Sequence, residues 1–364
     1  MKRIAFHDRE KETMELARIL STDPTLITFI YGPINSGKTE LINNLIKNLP
    51  KSQKVFYINL RGRFISNYDE FIKVLFDVEH AARYKRIKEF LKPVANVLPE
   101  SYSGIPIPKD MFLKLFKEKE VEDAFVYIET VLRAFYKDDY PPVLLIDELQ
   151  VIGDLKVDDF LIYKLFNFFV RLTKELHLAH VFVATSDSLF MEGVYSEAML
   201  EGRCRYLLVD DFDYETTAAF LKMHGFTDDE NAIAWEYCGG KPVYLIELMN
   251  YENREEKARE MLVLRTGEIE TILKRINELG GEIIIEDTKY SVNYDKLVES
   301  LKKFIDRETI DMNEVDEISK EFLVKKNILF VDPLRKTILP QSRLELLAIR
   351  EIIDEGDQKW INRK

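Results

Sequence analysis

The sequence is poor in the residues that staple small domains or hold zinc. Its 364 residues include two cysteines, Cys204 and Cys238, too few for a disulfide framework, and no Cys/His spacing suits a zinc site. Both read as small buried hydrophobes. No apolar run approaches the roughly 20 residues of a membrane span. The opening MKRIAFHDREKE turns charged before the core of a signal peptide can form. A soluble, intracellular (cytoplasmic) protein is therefore expected. Positive charge is in deficit: 52 Lys and Arg stand against 64 Asp and Glu, a net charge of −12. This argues against a surface that wraps nucleic acid as a whole, while leaving room for a local basic patch. His7, His80, His177, His180 and His224 fall at no ligand or triad spacing and read as structural. Glutamine is scarce while Lys, Glu and Ile are plentiful, a usage of thermophile type that says nothing of function. Repeats and low-complexity tracts are absent from the sequence.

What is present is an alternation. LITFIY (26–31), VFYINL (55–60), VLLID (143–147), HVFVATS (180–186) and RYLLVD (205–210) are five buried-strand candidates. Between them, YDEFIKVLFDV, EDAFVYIETVLRAFY and FLIYKLFNFFVRLTKEL carry apolar residues at helical spacing. Continuous apolar strands separated by helices predict an α/β fold, with a five-stranded parallel sheet covered by helices on both faces. Residues 91–108 are rich in Pro, Gly and Ser and read as a surface insertion containing a short hairpin. After Asp211, DYETTAAFLKMHGF, DENAIAWEYCGG and KPVYLIELMNY predict a small helical module terminated by Gly225 and Gly239-Gly240. ENREEKARE (252–260) reads as a solvated helix face. Two helices follow, and ILFV and TILP then flank the turn DPLRK, the pattern of a winged-helix domain. Two or three domains suit a chain of this length. The expected boundaries are 1–210 (α/β core), 211–256 (helical module) and 257–364 (winged helix).

Gly32-Pro33-Ile34-Asn35-Ser36-Gly37-Lys38-Thr39 satisfies the Walker A form G-x-x-x-x-G-K-[ST] in full, with Glu40 continuing into a helix. Glycines let the backbone curl around an anion so that N–H groups point at the phosphates. The following helix offers its positive end to the same charge. Lys38 should reach the β- and γ-phosphates, and the Thr39 hydroxyl should ligate Mg²⁺. The alternative, a polar turn between a strand and a helix, does not require all four motif residues.

VLLIDELQ (143–150) reads as the Walker B half. Asp147 at the strand tip is a candidate to hold Mg²⁺, and Glu148 a candidate base for the attacking water. An acidic helix start is the competing reading. Thr185-Ser186-Asp187 end the fourth strand, where a polar side chain would sit beside the γ-phosphate if that strand neighbours the P-loop strand; turn formation explains them equally. Arg203, just before the fifth strand, is a candidate to neutralise transition-state charge, or a surface arginine.

Together these residues resemble the archaeal ATPase family within the STAND class of P-loop NTPases, relatives of AAA+ proteins. The resemblance rests on Phe6-His7-Asp8-Arg9-Glu10-Lys11-Glu12 as the family's F-x-x-R-x-x-E opening, on the P-loop and on YINLR. It extends to DELQ, Gly202-Arg203 and the G-G-x-P turn Gly239-Gly240-Lys241-Pro242. Taken alone, the opening heptad reads as a helix start with Asp8 as its N-cap. The resemblance implies that Arg9 frames the adenine end of the nucleotide and that Pro242 closes it from the lid. It implies slow ATP hydrolysis that serves as a conformational switch.

Three functions compete. An ATP-driven switch would engage a protein partner, or DNA, through its third domain. A DNA-binding initiator would use Lys325, Lys326, Arg335, Lys336, Arg343 and Arg350, although residues 251–364 are acidic overall. A kinase or transport ATPase fits least, since metabolic kinases usually lack the adjacent Asp-Glu and no LSGGQ-like signature is present.

Overall fold

The computed structural model describes residues 6–63, 65–78, 101–118, 120–137, 139–152, 161–197, 200–285 and 288–361, with side chains to 354. The chain divides into two compact units. One comprises Met1–Tyr31, Lys38–Thr185 and Glu197–Leu208; the other comprises Gly32–Gly37, Ser186–Ser196 and Val209–Lys364.

The strands of the first unit are β1 (Ile27–Tyr31), β2 (Val55–Asn59), β3 (Phe76–Asp77), β4 (Ser101–Tyr102), β5 (Ile105–Pro106), β6 (Val143–Asp147), β7 (His180–Ala184) and β8 (Cys204–Leu208). Six of them form one parallel sheet in the order β4-β2-β6-β7-β1-β8. Every residue of β1, β6 and β7 is buried, as unbroken apolar runs require when helices cover both faces. β8 departs from the buried strand predicted for it. It forms the sheet edge, so each of its residues is only half-buried.

The sixth strand, β4, is two residues long and too short to read from apolar periodicity. Tyr102 stacks on Phe56 of β2 at 5.2 Å between ring centroids and is buried. Among the described residues 101–108 the predicted hairpin is not seen: β4 pairs with β2, and β5 pairs in parallel with β3. Gly104 separates the two strands at φ +126°, where an added Cβ would lie 3.2 Å from the Leu75 carbonyl oxygen. The rest of that predicted segment, residues 91–100, lies outside the described residues.

Helices Val121–Phe135 and Leu161–Val170 join through Phe125 and Phe168, stacked at 4.6 Å. The second helix ends sooner than its pattern predicts, because Arg171–Glu175 widen into a π-helical turn. At the amino end, Asp8 is not the cap. Helix Glu10–Leu20 is preceded by Arg9, itself in the left-handed region at φ 74°.

In the second unit, helices Tyr214–Met223, Asp228–Cys238 and Pro242–Met249 follow the predicted pattern. Asp213 caps the first, and Thr227 with Glu230 forms a capping box on the second. Pro242 starts the third at a position whose N–H would be unpaired in any case. Helix Arg254–Leu279, capped by Asn253, then runs unbroken across 256–257, where a boundary is predicted, and packs along helix Arg343–Ile361. No glycine or proline interrupts it before Gly267. The face predicted as solvated buries Lys257 and Ala258.

An antiparallel ladder of β9 (Glu282–Ile285) and β10 (Thr288–Ser291) follows, unpredicted because most of its residues are exposed and show no alternation. Helix Tyr294–Lys302, β11 (Ile310–Asp311) and helix Glu317–Lys325 lead to the predicted hairpin, β12 (Leu329–Asp332) and β13 (Thr337–Pro340). The three strands order as β11-β13-β12.

Candidate nucleotide site

In the first unit the parallel register sets the site. Asp147 at the end of β6 lies level with Ala184 of β7 and Asn59 of β2, so the carboxylate emerges among three strand tips. Its side chain is 2 % exposed. Asp147 Oδ2 accepts hydrogen bonds from the Tyr57 hydroxyl (2.9 Å) and the Thr39 hydroxyl (3.4 Å). Burial pushes the Asp147 pKa above the ordinary aspartate range, partly offset by the Tyr57 hydrogen bond; the neighbouring Glu148 charge pushes the same way as burial. Lys38 and Thr39 open helix Lys38–Asn48, with Glu40 in its first turn and the Lys38 side chain buried.

Glu148 occupies the left-handed region at φ 62°, an uncommon place for a side chain this long. Its backbone N–H donates to Ala184 O at 2.9 Å, tying the turn to β7. The carboxylate takes Arg61 on one oxygen and the Gln150 amide on the other. Gln150 in turn accepts the Thr185 hydroxyl at 2.7 Å. Arg61, Glu148, Gln150 and Thr185 thus form one chain across three strand tips.

In the second unit, loop Gly32–Gly37 curls tightly. Gly32 (φ 152°) and Gly37 (φ 98°) take conformations that favour glycine, and Asn35 is left-handed at φ 61°. A Cβ on Gly32 would come 2.2 Å from the Val209 carbonyl oxygen. Ser36 N–H closes a turn on Pro33 O at 3.3 Å. The peptides flanking Ile34 are held by side chains: its N–H donates to Gln341 Oε1 at 3.2 Å, and its carbonyl accepts Lys241 Nζ at 3.0 Å. Lys241 also pairs with Asp211 at 3.0 Å. Gly240 has no room for a side chain, since its Cβ would lie 1.7 Å from Phe212 O. Pro242 begins the helix directly after this turn.

Residues 6–248 match the family described as an ATPase domain predominantly from Archaea. The chain belongs to this family. Residues 255–353 match the C-terminal domain of MJ1010-like uncharacterized ATP-binding proteins. An uncharacterized ATP-binding protein of Pyrococcus abyssi is 47 % identical over 352 residues, which span 96 % of this chain and 99 % of that one. Another, of Methanocaldococcus jannaschii, is 44 % identical over 363 residues, spanning 96 % and 98 %. Among solved structures, the Walker-type ATPase PABY2304 of Pyrococcus abyssi aligns with a TM-score of 0.63. It covers 95 % of this chain and 96 % of that chain at 17 % identity, a likeness of fold.

The placement of the predicted residues divides. Thr39 and Asp147 come together with Lys38 at the head of the same helix, and Glu148 joins Thr185 through Gln150. Arg9 is buried and its guanidinium pairs with Glu12 at 2.9 Å. Arg203 is brought to none of these groups. It precedes β8, whose Cys204 is level with Ile27 at the start of β1, whereas Asp147 is level with strand ends three strands away. At about 3.3 Å per residue and about 4.8 Å per strand, that separation is roughly 20 Å. Arg203 instead lines an open groove of about 480 Å³ with Glu129, Lys164 and Arg171. Sequence alone does not single out Tyr57, Arg61 or Gln341. The first two lie within YINLR; Gln341 sits in a polar turn with no periodic or motif signal.

The residues present fit a magnesium ion. Mg²⁺ takes oxygen ligands and usually few protein groups, with phosphates and water completing its shell. Thr39 Oγ1 and Asp147 Oδ2 form such an oxygen pair, and among the described residues no group of three His, Cys, Asp or Glu could hold a metal ion by itself. No helix among the described residues is long and apolar enough to cross a membrane.

Proposed function

We propose that this protein binds and hydrolyses ATP with Mg²⁺ and uses the nucleotide state as a molecular switch of the STAND type in the cytoplasm. The observation that carries the reading is the approach of Thr39 to Asp147 at the foot of a fully matched Walker A loop. Backbone N–H groups from Gly32 to Thr39 and the N-terminus of helix Lys38–Asn48 bind the phosphates, with Lys38 as the mobile positive charge. Thr39 and Asp147 hold Mg²⁺, which supplies neutralisation of phosphate charge. Glu148 orients and deprotonates the attacking water. Gln150 and Thr185 hold the Glu148 carboxylate in line with the strand tips. Arg9 and Pro242 keep the roles at the adenine end that the family resemblance implies. Arg203 receives no role at this chain's own nucleotide, because of its distance.

The organisation we propose is a P-loop ATPase domain (1–210), a helical lid (211–256) and a winged-helix-like domain (257–364). The switch reading draws support from the anchorage of the Ile34 peptides by Lys241 of the lid turn and Gln341 of the C-terminal part. The partner we favour is a protein rather than DNA. Four of the six basic residues are engaged within their own unit: Lys325 pairs with Glu321, Arg335 with Asp332 and Arg343 with Glu308, and Arg350 donates to Phe304 O.

Titration with a fluorescent ATP analogue tests the cradle. Lys38→Ala should remove tight binding, and wild-type affinity in that variant would refute the assignment. Pull-down with Glu148→Gln loaded with ATP, against wild type loaded with ADP, should recover a partner in one state only; an identical set in both states would refute the switch.

A further inference from the structure

The hairpin of β12 and β13 is the part of a winged-helix-like domain expected to be presented outward, yet all four β12 residues are buried. What covers them is in the same unit. Helix Ser188–Ser196, which begins three residues beyond Thr185, packs on β12 and on helix Glu317–Lys325. The Ser188 hydroxyl oxygen accepts the Val331 N–H at 3.2 Å, where both groups are buried. Lys320 is 3 % exposed and places its ammonium between Glu192 (2.7 Å) and Glu317 (2.9 Å). A buried ammonium is tolerated only with such partners, so its contact with Glu192 is a specific attachment rather than surface decoration.

The far end of the same hairpin makes a second attachment. Gln341, the residue after β13, is 3 % exposed and spends both ends of its amide. Its Nε2 donates to Leu329 O at 3.1 Å inside the hairpin, and its Oε1 accepts the Ile34 N–H of the phosphate loop at 3.2 Å. The Gln341 backbone N–H is tied to Ile328 O at 3.0 Å, so the side chain stands on a fixed base. The hairpin is therefore joined at one end to the phosphate loop and along β12 to the helix that follows the β7 tip.

We propose that Gln341 and Lys320 are coupling residues, through which the C-terminal hairpin reads occupancy of the phosphate loop. A phosphate that draws the loop's N–H groups inward moves the Ile34 peptide, and Gln341 carries that movement to Leu329. Ser188 and Lys320 carry a change at the β7 tip to Val331 and to helix Glu317–Lys325. This rests on the nucleotide reading above and adds the route by which nucleotide state reaches the C-terminal part. The two attachments act on one element, the paired β12–β13 hairpin, whose arrangement both would bias.

Hydrogen exchange read by mass spectrometry on the full chain, with and without saturating ADP, tests the route. Fluorescent-ADP titration of each protein accompanies it. In wild type, ADP should slow exchange both in 32–37 and in 329–340. Gln341→Leu, an apolar side chain of similar size, should still bind ADP within about tenfold of wild type, since it removes one hydrogen-bonded link. It should keep the response in 32–37 and lose at least half of that in 329–340. Lys320→Met should diminish the response of 317–325 independently, whether or not Gln341→Leu folds. A 329–340 response undiminished in Gln341→Leu, or a 317–325 response undiminished in Lys320→Met, would overturn the proposal, as would the absence of both responses in a wild type that binds ADP. A wild type that binds no ADP, like Lys38→Ala, would overturn the nucleotide reading and this one with it.

Discussion

Asp147 and Glu148 are adjacent in the chain and differ in surroundings. Asp147 is buried, and burial disfavours its charge and raises its pKa, an effect that the hydrogen bonds from the Tyr57 and Thr39 hydroxyls offset only in part. Over the interval between an ordinary aspartate pKa and this raised one, the folded state binds the extra proton. Stability therefore declines as pH rises through that interval. Asp147→Asn should melt at or above the wild-type temperature at pH 7 while losing Mg²⁺-dependent nucleotide affinity; calorimetry and titration check the pair, and a strongly destabilised variant would contradict it. By the same sign, Mg²⁺-dependent affinity in wild type should fall on acidification at a pH higher than a solvated aspartate would set. Glu148 is held instead by a cation, Arg61, whose own pKa is raised by that hydrogen bond. The pair restrains the carboxylate. Arg61→Ala should raise turnover at saturating ATP by roughly threefold to tenfold, a small part of the roughly 10²–10⁴-fold that a positioned base contributes; a phosphate-release assay showing a slower variant would reverse the role assigned to Arg61.

At the scale of elements, β7 carries a titratable group into the core. His180 stacks near Phe182 and is buried, and burial lowers its pKa to about 4. An imidazole with a depressed pKa leaves the unfolded chain holding more protons between about pH 6.5 and 4. Its contribution is full above pH 6.5 and is lost as pH falls, on the order of 3 kcal/mol by pH 4. Urea midpoints across that range should follow this slope, and His180→Leu should flatten it; an unchanged slope would place the acid sensitivity elsewhere.

The elements themselves show what can be read from a sequence. Long apolar runs such as VLLID and HVFVA announce buried parallel strands because no alternation is needed when both faces are covered. Ser101–Tyr102 and Thr288–Ser291 carry no such signal; one is too short and the other exposed along its length. The Walker A loop is legible because its chemistry demands particular residues at fixed spacing. Arg61, Tyr57 and Gln341 act through contacts set by strand register and by packing far along the chain, which local patterns do not encode. Arg203 shows the converse, since its place beside a strand is evident in sequence but the end of the sheet it occupies is not.

For the whole molecule, the net charge of −12 and the engagement of Arg343 and Arg350 within the second unit both favour a protein partner. DNA affinity, if present, should fall steeply with added salt, because each phosphate contact releases counterions. The proposed function makes ATP turnover the event that sets the protein's state. Single-turnover conversion of Mg·ATP, comparing wild type with Glu148→Gln, tests this most directly. Wild type is expected to convert its bound ATP to ADP and phosphate, while the variant binds with similar affinity and retains ATP uncleaved. Cleavage by the variant at the wild-type rate, or bound Mg·ATP left intact by wild type, would contradict the account.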